Sequence, residues 1–199
     1  YTATAKNGED DDSANQLEKL QTALPVLGQY DLTADQQMDV ASMFLQKESP
    51  AVRVQEQYGA DMALKYLDTY TQADADGNGK VSDTEFKNAL LQSPGLSDDD
   101  IGKIYLSSKT TDDSTDEKAQ TFNATYGPAG VTDYLYLQYL ERAYHTAEAN
   151  RKIAAGEGGN PAGSFNKSDL TNALNYMDLT NEERRAYFSI IAPTWKNPY

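Results

Sequence analysis

Residues 74–85 run Asp-Ala-Asp-Gly-Asn-Gly-Lys-Val-Ser-Asp-Thr-Glu, with oxygen-bearing side chains at alternate positions, again at the end, and a glycine in the middle. The spacing constrains the chain because all of those oxygens can face one point only if the backbone curls tightly. Gly79 permits that turn, since glycine adopts left-handed conformations without steric cost. Asp74, Asp76 and Asn78 would supply side-chain oxygens along one edge, Lys80 its carbonyl oxygen, and Ser82 a hydroxyl able to hold a ligating water. Glu85 would stand in the first turn of the next helix and give both carboxylate oxygens. Seven oxygens around one point suit a hard dication, Ca2+. Val81 adds the apolar position through which such loops pair as a short strand.

On these residues, Asp74, Asp76, Asn78, Gly79, Val81 and Glu85, the segment resembles an EF-hand, the helix-loop-helix of calmodulin-like and parvalbumin-like calcium proteins. The match is close over roughly thirty residues and only suggestive elsewhere. The resemblance implies a metal site and a helical fold, and by itself no biological role.

The rest of the sequence extends the pattern. Ser49-Pro50 opens a segment with proline in the first turn, where its missing N–H is harmless. Met62, Leu64, Tyr66, Leu67 and Tyr70 make it the incoming helix, expected from residue 50 to about 73. Phe86, Ala89, Leu90 and Leu91 form the core face of the outgoing helix, which stops near Ser93-Pro94-Gly95. The capping pattern Leu32-Thr33-Ala34-Asp35-Gln36 recurs at Leu96-Ser97-Asp98-Asp99-Asp100 and at Leu179-Thr180-Asn181-Glu182-Glu183, each time before a helically spaced apolar run.

Residues 164–174 parallel residues 80–90, down to a shared Asn-Ala-Leu run. The loop before them, 158–169, is degenerate: Gly158, Asn160, Ala162, Asn166 and Asp169 hold the liganding places and Gly163 the turn. One carboxylate in place of three leaves divalent binding weak or absent. A third, more altered loop is expected over about 110–135, where Gly130-Val131-Thr132-Asp133 echoes the middle of the first loop but Leu135 stands at the closing position. Its polar stretch, residues 110–130, is the first candidate for a contact surface. Residues 134–144 suit a helix on length, with their tyrosines as packing residues, and His145 as a surface or packing side chain.

The expected fold is therefore all-α: a flexible acidic lead-in over 1–13, a helical pair over 14–49, an EF-hand-like array over 50–178 with one intact and one or two degenerate loops, and a C-terminal helix and tail over 179–199. Val81 is expected to pair with Val131 or Phe165, and Trp195 to pack the tail back onto the domain.

Charge narrows the function. The net charge of -14 disfavours nucleic acid and anionic membranes as partners. No stretch approaches the roughly 18 apolar residues that a membrane span needs. With no cysteine, thiolate metal sites and cysteine nucleophiles are out, and one histidine leaves little imidazole chemistry. No phosphate-binding glycine loop, G-x-S-x-G elbow or H-E-x-x-H occurs, so an enzyme is not expected. The expectation is a calcium protein whose ion mainly stabilises a helical scaffold for protein–protein interaction. The alternatives are a sensor that exposes an apolar groove to a partner peptide on Ca2+ binding, and the non-catalytic or regulatory part of a larger enzyme. A start at Tyr1 fits either a removed leader or a fragment, with a weak lean towards secretion.

Overall fold

A computed structural model describes residues 49–109 and 116–199, with Ala34, Met38, Ala41 and Ser42. Those four residues are helical, but the remainder of the helical pair expected over 14–49, and the lead-in over 1–13, lie outside the described residues. The described chain is all-helical and contains no strand: α1 (Pro50–Tyr58), α2 (Ala60–Thr71), α3 (Asp83–Gln92), α4 (Asp98–Ser108), α5 (Glu117–Tyr126), α6 (Pro128–Ala154), α7 (Lys167–Tyr176) and α8 (Asn181–Ile191). Its described residues divide into two compact units, one of those up to residue 89 with 104–109, the other of 90–103 with 116–199.

In the first unit the single incoming helix expected from residue 50 to about 73 is instead two helices. Gly59 interrupts it, at φ 91, in a backbone conformation that side-chain-bearing residues rarely adopt. Ser49 caps α1 by accepting a hydrogen bond from the Val52 N–H at 3.3 Å. The core gathers Ala51, Val54, Ala63 and Leu67 around an aromatic cluster in which Tyr66 stacks on Tyr70 at 5.8 Å and meets the Phe86 ring edge-on at 5.6 Å. Arg53 donates to the carbonyls of Ser107 and Ser108 at 3.0 and 2.8 Å. It thereby satisfies orphan acceptors at the C-terminal end of α4, where a cation is also favoured by the helix dipole.

The second unit is organised by α6, whose 27 residues bury Val131, Tyr134, Leu135, Leu137 and Leu140. Phe122 of α5 stacks on Tyr134 at 5.2 Å and meets Tyr187 of α8 edge-on at 5.0 Å. Leu170, Ala173 and Leu174 of α7 and Phe188 of α8 complete the core. The Trp195 and Tyr199 rings pack on Phe188 at 6.5 and 6.3 Å, so the tail folds back as expected.

Two expectations fail here for the same reason. Residues 117–126 and 128–154 are helical, so no degenerate loop occupies 116–135, and Phe122 is a core residue inside the stretch expected to offer a contact surface. The part at 110–115 lies outside the described residues. Val131 is buried on α6 and Phe165 lies in no strand, so neither pairs with Val81. The echo at Gly130-Val131-Thr132-Asp133 misleads because Pro128 at the start of α6 begins a helix that absorbs it.

Candidate metal centre

Residues 72–82 link α2 to α3 within the first unit. One carboxylate oxygen from each of Asp74, Asp76 and Glu85 lies within 4.8 Å of the others. Two oxygens on opposite sides of a calcium ion stand about 5 Å apart, given Ca–O distances of 2.3–2.6 Å, so these three fit the shell of one such ion.

Three carboxylates at that separation repel one another. The backbone offsets part of this. The Asn78 and Gly79 N–H groups donate to the two oxygens of Asp74 at 3.1 and 2.8 Å. Asn78 N–H also reaches Asp76 at 3.0 Å, while the Ala75 and Asp76 N–H groups reach Glu85 Oε1 at 3.1 and 3.3 Å. Turning N–H groups inward in this way requires the left-handed backbone at Gly79, φ 80.

Glu85 is tied at both ends of the loop. Its Oε2 accepts from the Ser82 N–H at 2.9 Å and the Ser82 hydroxyl at 2.7 Å, and its own N–H donates to Ser82 Oγ at 3.2 Å. This is a reciprocal cap on α3, which brings the closing carboxylate round to the loop's interior. The Ser82 N–H and hydroxyl hold the Glu85 carboxyl below its ordinary range, with smaller help from the Asp76 and Ala75 N–H groups.

The other expected ligands are placed as follows. The Asn78 amide donates to Asp76 at 2.7 Å and accepts from the Lys80 N–H at 2.8 Å, so its oxygen is engaged with backbone beside the carboxylate cluster. Ser82 is bound to Glu85 rather than standing alone. The sequence spacing thus brings Asp74, Asp76 and Glu85 together, with Asn78 and Ser82 hydrogen-bonded to them and Lys80 hydrogen-bonded to Asn78.

The first turn of the outgoing helix is anchored. Asp83 pairs with Lys87 at 2.7 Å and with Lys109. Burial pushes the Asp83 carboxyl up, but the hydrogen bonds from Lys109 and Lys87 outweigh it and the net shift is down. Both ammonium groups also lie over the Tyr105 ring, at 5.5 and 5.0 Å.

The second loop, 158–169, closes differently. Asp169 begins α7 as the partner of Asn166 in a capping box, accepting from the Asn166 N–H at 3.0 Å. The same Asp169 oxygen is 2.8 Å from His145 Nδ1, and His145 Nε2 is 3.1 Å from the Asn160 carbonyl oxygen. The Phe165 ring meets the imidazole at 5.5 Å. The imidazole therefore stands between the closing carboxylate and the far side of this loop, within hydrogen-bond distance of each, in the place where coordination would otherwise join them. Sequence reasoning missed this role because His145 is 24 positions from Asp169; the available signal was a lone histidine one helix before a loop stripped of carboxylates.

Comparison with protein-family models, with curated proteins and with solved structures returned no match.

Proposed function

We propose that this chain is a calcium-binding protein of the EF-hand kind, in which Ca2+ mainly stabilises a helical scaffold used for protein–protein interaction. The observation that carries the reading is the convergence of Asp74, Asp76 and Glu85 on one ion-sized space. Bound there, Ca2+ replaces carboxylate repulsion by attraction and adds its binding free energy to folding. Asp74 and Asp76 hold one side of the ion and Glu85 closes the other, joined by the Lys80 carbonyl, Asn78 and a water on Ser82 once these turn inward.

The stabilising role is favoured over signalling by the anchoring of α3, whose Asp83 is held by Lys87 and Lys109, and by a second loop already tied by His145. Sensors exploit an outgoing helix that swings and a paired site that responds with it. For the interaction surface, the reading rests on exposed tyrosines of the second unit. Tyr136 and Tyr139 on α6 stack at 6.3 Å, and Tyr176, at the end of α7, is 64% exposed. Tyrosine is enriched where proteins meet. Among the described residues no helix is long and apolar enough to cross a membrane.

The test compares thermal unfolding and hydrophobic-dye binding in millimolar Ca2+ and in chelator. The scaffold reading expects a higher melting temperature with Ca2+ and unchanged dye binding. A Ca2+-dependent rise in dye fluorescence would support the sensor instead, and no effect on either readout would remove the calcium role.

A further inference from the structure

The second unit contains a cavity of about 290 Å3, at the small end of the range for organic ligands. Its apolar wall is made by Tyr134, Phe165, Ile191 and Trp195; its polar wall is α6, where Gln138 and Glu141 stand one turn apart, with Lys118 of α5 nearby. Gln138 Nε2 lies 2.6 Å from the Tyr134 hydroxyl, and its Oε1 is closed off within the protein, so the acidic group that the cavity wall offers is Glu141.

Glu141 supplies the acceptor on the cavity wall. It is only 6% exposed, and burial pushes its carboxyl up to about 7 against the pull of Lys118 on α5 and Arg142 on its own helix, while Asp169 on α7 adds to the rise. A carboxylate kept from water gains more from an incoming cation than an exposed one does. Lys118 is exposed and can swing its ammonium into solvent on its long stem, whereas Glu141 is fixed in the middle of α6. A fixed carboxylate backed by aromatic rings forms a setting that favours an organic cation.

We propose that this cavity binds a small organic ammonium ion, its N–H groups on the Glu141 carboxylate and its apolar body against Tyr134, Phe165 and Trp195. The site lies in a different unit from the calcium loop and does not rest on the calcium reading.

Trp195 is the only tryptophan, so its fluorescence reports the cavity directly. The full chain at pH 8 is titrated with phenethylamine, 2-phenylethanol and 3-phenylpropanoate, which share an apolar body and differ in head-group charge. The expected result is saturable binding of the ammonium, at least tenfold weaker binding of the alcohol, and none of the carboxylate. Glu141→Gln should weaken ammonium binding at least tenfold; the comparison of the three probes on the unaltered chain stands even if that variant folds poorly. Equal affinity for ammonium and alcohol, preference for the carboxylate through Lys118, or no saturable change would each overturn the proposal.

Discussion

Glu85 is where the calcium account is most exposed to test, because one side chain both caps α3 and closes the loop. Glu85→Gln keeps a hydrogen-bonding oxygen for Ser82 but removes the charge and the bidentate grip. It should weaken Ca2+ binding more than tenfold in titration calorimetry while α3 persists by circular dichroism. Acid tests the same group without mutation. The folded carboxyl is held below its ordinary range, so its stabilising hydrogen bonds are fully present at neutral pH and are lost only as pH falls through that lowered value. The Ala75 and Ser82 amide resonances should therefore shift below the ordinary glutamate range, and a transition above it would contradict the geometry. In the second loop, His145→Ala should destabilise the protein by about 1–3 kcal/mol in urea unfolding, because Asp169, only 2% exposed, loses its contact with the imidazole and keeps only the Asn166 N–H. The convergence of Asp74, Asp76 and Glu85 was legible from spacing alone. The His145 tie was not, since it joins residues that only the packing of α6 against the loop brings together.

At the scale of elements, caps carried more information than loops. Ser97 with Asp100 and Thr180 with Glu183 form the reciprocal caps that their spacing announces, and α4 and α8 start there. The resemblance of residues 80–90 to 164–174 also survives as packing, with Leu90, Ala173 and Leu174 all fully buried. The loop expected over 110–135 was misjudged because polarity and a four-residue echo were weighed above the helix-forming stretch that follows Asp116, whose side chain caps α5 by accepting from the Ala119 N–H at 3.1 Å. Nor did periodicity disclose the break at Gly59, since the apolar spacing continues through it. One contact between elements depends on a missing side chain. A Cβ on Gly102 of α4 would stand 1.9 Å from the Pro128 carbonyl oxygen at the start of α6. Backbone cannot yield as a flexible side chain would, so Gly102→Ala should cost about 1–3 kcal/mol or more, read as a lowered denaturation midpoint. An unchanged midpoint would mean that α4 and α6 are not in this close approach.

For the whole molecule, the proposed role of calcium is to contribute stability rather than to act as a trigger. A chain with a charge of -14 carries self-repulsion, and in the proposed reading a dication held by Asp74, Asp76 and Glu85 would relieve part of it. All-helical architecture was legible from apolar periodicity and caps, whereas the division into two units was not, because it runs through α3 and α4 and no linker composition marks it. The central claim is one metal site per chain, at 74–85. Titration calorimetry of chelator-stripped protein with CaCl2 tests it most directly: one equivalent should bind, with a Kd between about micromolar and sub-millimolar, and Glu85→Gln should remove it. No measurable heat, or a second equivalent bound as tightly as the first, would contradict the account.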